Sequence, residues 1–207
     1  MITLMTYGGA VAADTAETRT GGVPLVPDGF RWPPCANCGE PMQFLAQLRL
    51  DAPVGDGNGV LALFMCDAQP GLCEQWDPWD GGNRAVLLPA DGVAPAVPPD
   101  TGVTRLGAVS GVRYERVDAP TYFDASEEWA EVEGRTRRGV LGQWGGEPEW
   151  LQGEETPACP GCGEPMGFVA QLEEGRDHTT AANFGGGGCA YAFVCGPCAR
   201  AAFLWQC

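Results

Sequence analysis

Cys35-Ala-Asn-Cys38-Gly-Glu-Pro-Met-Gln-Phe-Leu-Ala-Gln-Leu48 returns later in the chain as Cys159-Pro-Gly-Cys162-Gly-Glu-Pro-Met-Gly-Phe-Val-Ala-Gln-Leu172, identical at ten of fourteen positions. The match runs back without a gap: GGVPLVPDGFRWPP at 21–34 faces GGEPEWLQGEETPA at 145–158, at a constant offset of 124 residues. Such agreement marks an internal duplication. A period of this length is a repeated domain-sized unit, too long for a solenoid repeat.

Composition restricts what the duplicated unit can be. The 207 residues include 31 Gly and 18 Pro spread along the chain, which leaves little room for long helices. MQFLAQLRL, GVLALFM, RAVLLP, VRYERV, GFVAQL and AYAFV are short apolar runs bounded by Gly, Pro or Asp, the signature of strands. The expected architecture is mainly β with some α. Two similar β-roll-like halves pack together, each with a four-cysteine zinc knuckle. The first half is expected over 1–104, ending in a Pro-rich loop at 89–104; a linking helix and the second half follow over 105–207. Asp124 is the expected helix cap, with Glu127 completing a capping box and Gly134 ending the segment after Val132. Asp51–Gly59 and Glu173–Gly188 read as equivalent Gly-rich hairpin loops.

The cysteines carry the chemistry. A Cys-x-x-Cys followed by Gly suits a tight knuckle whose backbone N–H groups turn toward two thiolates, and a tetrahedral site needs two ligands more. In the first copy the strand LALFM leads into Cys66 and then Cys73; in the second, AYAFV leads into Cys195 and Cys198. The expected ligand sets are therefore Cys35, Cys38, Cys66 and Cys73, and Cys159, Cys162, Cys195 and Cys198. Four thiolates in each favour structural zinc, two ions per chain, with no open position for a substrate. Cys189 and Cys207 are left over as buried thiols, a pair, or substitute ligands. Cys195-Gly-Pro-Cys198 is also the tetrapeptide of thioredoxin-like redox sites, so a thiol oxidoreductase using Cys195 and Cys198 is an alternative. Against it, its counterpart Cys66 and Cys73 is not a Cys-x-x-Cys, and nine residues follow Cys198.

Charge and missing residue types narrow function further. The formal net charge is −15, and all twelve basic residues are Arg. Without Lys there is no Walker P-loop and no Schiff-base chemistry. One histidine, His178, and two serines, Ser110 and Ser126, offer no nucleophile–base motif. Catalytic residues are accordingly expected to be none. An acidic chain repels phosphate backbones, so nucleic acid is not an expected ligand, whereas a basic protein surface is its complement. No apolar run approaches the ~20 residues of a membrane-spanning helix, and the N-terminus lacks a basic n-region. A cytoplasmic location without membrane association is expected. Trp76, Asp77, Trp79 and Asp80, in Cys73-Glu-Gln-Trp-Asp-Pro-Trp-Asp80, are the candidate partner contacts.

The repeated Gly-Gly-x-Pro, Trp, and Cys-x-x-Cys-Gly-x-Pro-Met-x-Phe-x-Ala-Gln-Leu pattern resembles the YwqG-like family (domain of unknown function 1963). It is also similar to the duplicated domain of the eukaryotic programmed cell death protein 2 family. LGQWGGEPEWLQ, at 141–152, matches the Gly-Gly-x-Pro-x-Trp-x-Gln segment closely, while the first copy lacks the Trp-x-Gln at 21–26. The resemblance implies a mainly β, duplicated fold with no recognised catalytic residues. Through the eukaryotic relatives it implies a chaperone-like role toward a basic ribosomal protein. A toxin-neutralising immunity protein is the alternative suggested by small size, acidity and the lack of catalytic residues.

Overall fold

The computed structural model describes residues 1–50, 59–100, 106–132, 134–175 and 181–207. Twelve strands and one helix follow in order: β1 (Ile2–Ala10), β2 (Arg19–Thr20), β3 (Leu25–Val26), β4 (Gln43–Arg49), β5 (Gly59–Met65), β6 (Asn83–Pro89), β7 (Ala94–Pro95), β8 (Ser110–Val117), α1 (Tyr122–Val132), β9 (Val140–Trp144), β10 (Gly167–Glu173), β11 (Cys189–Cys195) and β12 (Arg200–Gln206). Ten of the strands form one sheet, ordered β12-β11-β10-β9-β1-β8-β2-β4-β5-β6, and β3 pairs with β7 beside it. The outermost strands approach each other and the sheet is nearly a closed barrel: Trp205 N, on β12, donates to the carbonyl of Trp76, just before β6, at 3.4 Å.

The expectation of a mainly β, duplicated fold holds, with one refinement. The copies do not stack as separate rolls; they are two arcs of a single sheet, joined through β1 and β8. The duplication survives in detail. In the first copy Phe44 pairs Phe64 and Ala46 pairs Leu63, with a bulge at Leu45; in the second Phe168 pairs Phe193 and Ala170 pairs Ala192, with a bulge at Val169.

Two-sided burial explains why these runs are continuously apolar rather than alternating. Along β5, Leu61, Leu63 and Met65 point into a core that also holds Leu141, Ala170, Ala192 and Phe203 of the second copy. Val60, Ala62 and Phe64 point outward into a separate cluster with Met42, Phe44 and Cys35. Tyr191 and Phe193 do the same on β11, beside Met166 and Cys159. Each cysteine group therefore sits on an outer apolar cushion, and the central core belongs to both copies.

Buried glutamines hold the Gly-Gly-x-Pro segments. Gln47 Oε1 accepts from Leu25 N at 3.2 Å, and its counterpart Gln171 Oε1 accepts from Glu149 N at 3.0 Å. Gln143 donates to the Glu147 carbonyl at 2.9 Å; Arg19, at the matching position, donates to Val23 O at 2.6 Å. The fully buried Arg19 guanidinium also serves the carbonyls of Ala13, Thr15 and Gly21, and burial pushes its pKa down. Carbonyl dipoles, in place of an acid, carry its charge.

The helix corrects one expectation. Its cap is Thr121, not Asp124: Asp124 N donates to Thr121 Oγ1 at 3.1 Å, and Thr121 Oγ1 bonds the Asp124 carboxylate at 2.7 Å. The earlier start lets Tyr122, Ala125, Ser126 and Trp129 be buried on one face, and Glu149 Oε2 accepts from Tyr122 N at 2.6 Å at the positive end of the dipole. Glu127, Glu128 and Glu131 remain on the solvated face. The C-terminus is as expected: Gly134, at φ 58°, bonds Glu131 O, and Arg135 N bonds Ala130 O.

The sequence does not mark β1, β9 or β12 as strands. Gly8 and Gly9 interrupt the first, and the last reads as a tail. The expected loop at Asp51–Gly59 lies outside the described residues except for Gly59. Parts of those at 89–104 and 173–188, the expected boundary between 104 and 105, and His178 also lie outside. Among the described residues no helix is long and apolar enough to cross a membrane.

Gly142, at φ 143°, lies where β9 pairs with β10, and a Cβ there would collide with the Gln171 carbonyl. Gly142→Ala is expected to lower stability by about 3 kcal/mol or more. Gly153→Ala, with open space and ordinary φ, is the neutral control. Urea unfolding of the two variants beside the parent checks this.

Candidate metal centres

Each knuckle is a small hairpin closed by the same four contacts. In the first, Pro34 bridges Pro41, Cys35 N donates to Glu40 O at 2.8 Å, Gly39 N to Cys35 O at 2.9 Å, and Met42 N to Pro33 O at 3.0 Å. In the second, Ala158 bridges Pro165, and the bonds Cys159 N to Glu164 O, Gly163 N to Cys159 O and Met166 N to Pro157 O measure 2.8, 2.8 and 2.9 Å. Gly39 and Gly163 adopt φ of 77° and 79°, the left-handed turn that only glycine takes without strain. That is why Gly follows each Cys-x-x-Cys.

The other ligands arrive by strand parity. Cys66 continues the outward row Val60, Ala62, Phe64, and Cys195 continues Tyr191, Phe193. Cys73 and Cys198 close the groups from the loops beyond. Each is followed by a residue in the left-handed region, Glu74 and Ala199, both at φ 46°. The two turns thus end alike, although their cysteines are differently spaced.

The structure brings together all eight expected ligands as two groups that could hold a metal ion. Cys35, Cys38, Cys66 and Cys73 form one and Cys159, Cys162, Cys195 and Cys198 the other, with sulfurs within 4.8 Å of one another. Cys38 and Cys66 sulfurs are 3.7 Å apart, and those of Cys162 and Cys195 are 3.8 Å apart. A tetrahedral tetrathiolate centre with metal–sulfur bonds of about 2.3 Å has sulfur–sulfur edges of about 3.8 Å, so the donor sets fit. Cys195 and Cys198 are therefore half of a four-thiol group. All ten cysteines are free.

Electrostatics within each group are those of thiols waiting for a cation. The Gly161 N–H holds the Cys159 thiol down to about 7. Burial, with the Cys35 and Cys38 thiols beside it, pushes Cys66 up to about 11, and burial raises Cys73 as well. The Cys162 sulfur, and then burial, push Cys198 up to about 12. Neighbouring thiolates oppose each other's ionisation, and a bound cation reverses that balance with release of protons.

Residues the sequence does not flag complete the first site. Asn37 Nδ2 donates to Cys73 O at 2.9 Å and Asp80 O at 3.1 Å. Gln75 Nε2 donates to Cys66 O at 3.0 Å, and Asn83 Nδ2 to Gln75 O at 2.6 Å. The available signal was a Gln and an Asn beside apolar runs. Cys189 and Cys207 belong to neither group. Cys189 is buried with its sulfur 3.7 Å from Glu173 Oε1, and burial, then the Glu173 charge, push it up to about 12. Cys207 is exposed.

The candidate partner residues lie on the pinned loop. Trp76 and Trp79 are 44% and 47% exposed, and Leu72 beside them 76%. Asp77 Oδ1 accepts from Trp79 N at 2.7 Å, and the Asp77 and Asp80 carbonyls are held by Asn83 and Asn37. Backbone anchoring keeps these rings outward.

The family model described as Domain of unknown function (DUF1963) matches residues 18–132, which contain the first cysteine group. No curated protein matches the chain.

In metal-stripped protein that retains its native circular dichroism, the thiolate absorbance is expected to include a step near pH 7 from Cys159, below the ordinary thiol value, present above that pH and lost as pH falls through it. Cys159→Ser should remove that step. A step near pH 7 that survives the substitution contradicts the assignment.

Proposed function

The chain belongs to the DUF1963 family, and we propose that it is a non-enzymatic, zinc-stabilised protein-interaction module, chaperone-like toward a basic protein partner in the cytoplasm. The observation that carries this is the surface loop Leu72–Asp80. Exposed Trp76 and Trp79 alternate with Asp77 and Asp80 on a backbone fixed by Asn37, Gln75 and Asn83. Half-exposed tryptophans held rigid supply contact area at low entropic cost, and they are the residues in which binding energy concentrates. The surrounding carboxylates and the net charge of −15 complement a basic surface and accelerate its approach. The similarity of the repeats to the programmed cell death protein 2 family adds to this.

Zinc is the metal proposed for both groups, because four thiolates at tetrahedral spacing with no further ligand position suit it. Its role is structural. Each ion ties a knuckle to the strand beneath it, and ion binding in such sites contributes on the order of 10 kcal/mol.

Native mass spectrometry is expected to find two zinc ions per chain, one for each group. Cys38→Ser should lower the melting temperature far more than Cys189→Ser, and equal temperatures would contradict the ligand assignment. For the partner, an unfolded Arg- and Lys-rich polypeptide with apolar segments serves as the probe, with binding read at low and high salt. Trp76→Ala with Trp79→Ala should weaken binding by about 100-fold with the zinc content unchanged. Undiminished binding by this variant, or no binding by the parent at low salt, would remove the proposal.

A further inference from the structure

The two cysteine groups match in geometry and differ in cover. In the first, Cys35, Cys66 and Cys73 are buried and Cys38 is half-buried against the apolar cluster that contains Trp32 and Phe64. Asn37 lashes the loop beyond Cys66 down over the site through Cys73 O and Asp80 O. The second copy has Gly161 at that position, where a Cβ would stand only 3.1 Å from the Cys198 sulfur. Gly161 carries no side chain to form such a strap, and one added there would crowd the Cys198 sulfur. Between Cys195 and Cys198 lie only Gly196 and Pro197, a segment too short to fold back over the group. Cys162 is left exposed, 3.8 Å from the Cys195 sulfur.

We propose that Cys162 is an oxidation site through which a peroxide opens the second centre while the first stays intact. This rests on both groups holding zinc. Displacement at the O–O bond requires a peroxide oxygen to reach the sulfur directly, which exposure allows at Cys162, half-burial against the apolar cluster hinders at its counterpart Cys38, and burial denies at Cys35, Cys66 and Cys73. The Cys162 thiolate attacks one peroxide oxygen and takes up a hydroxyl as the sulfenic acid; the other oxygen leaves as hydroxide and, with a proton, becomes water. The Cys195 thiolate then attacks the Cys162 sulfur. A disulfide forms, and the hydroxyl leaves with a second proton as another water. Two thiolates have lost two electrons and one peroxide has gained them. Joining the sulfurs requires them to close from 3.8 Å to a bond of about 2.05 Å. Cys159 and Cys198 then remain as two thiolates, half the set a closed tetrahedral site needs.

The two copies make the protein its own control. Zinc-loaded protein is treated with hydrogen peroxide, the released ion is followed with a chromophoric chelator, and disulfides are mapped by mass spectrometry after alkylation under denaturing conditions. One ion per chain should leave about tenfold faster than the other. The product should carry a Cys162–Cys195 linkage, with Cys35, Cys38, Cys66 and Cys73 recovered as free thiols. Two ions leaving together, two ions retained, or a linkage that omits Cys162 would overturn the oxidation site and leave the zinc assignment standing. Protein that holds no zinc before treatment would sink the zinc assignment and, with it, this proposal.

Discussion

Burial of β5 and β11 on both faces is the constraint from which the rest follows. A one-residue slip of either strand would exchange its inward and outward rows. Leu61 and Leu63 would leave the shared core, and Phe64 would leave the cushion under the first knuckle. The same parity aims Cys66 and Cys195 outward, where the Cys-x-x-Cys hairpins meet them. Core packing and ligand placement are thus one condition, and the sites inherit their precision from the sheet.

Around that condition the copies have kept different things. The knuckle bonds, the bulges at Leu45 and Val169 and the glutamines Gln47 and Gln171 are repeated residue for residue. All are backbone-directed devices with few chemical substitutes. Arg19 in place of Gln143 shows how far a substitute can go: both reach the carbonyl of the Gly-Gly-x-Pro turn, but the longer, charged group recruits three further carbonyls. The stretches beyond Cys66 and Cys195 diverged most. They lie outside the central core, and while the sulfurs fix the ends of both, the longer first stretch is held besides by Asn37, Gln75 and Asn83.

The ligand sets and the β character were legible because both leave local marks. Paired cysteines after an apolar run, and Gly after each Cys-x-x-Cys, follow from geometry within a few residues. The single sheet was not legible, since its closure depends on Trp205 meeting Trp76 across 129 residues and on β1, whose Gly8 and Gly9 disguise it. Asn37, Gln75 and Asn83 were hidden for another reason. A polar side chain that serves distant carbonyls looks, in sequence, like any surface residue. The helix cap was misplaced because Thr121 and Asp124 are both good caps, and what decides between them is the burial of Tyr122 and Trp129.

β1 pairs on one side with β8 and on the other with β9, so it lies between strands that begin more than a hundred residues later in the chain. At roughly 5–20 residues per second, several seconds pass on the ribosome before either neighbour exists. Ile2–Ala10 has no sheet partner during that interval, because both of its neighbours are still to be made. High contact order of this kind slows folding and exposes a nascent chain to wrong pairings. The strand at the centre of the finished sheet is thus among those that wait longest for their partners.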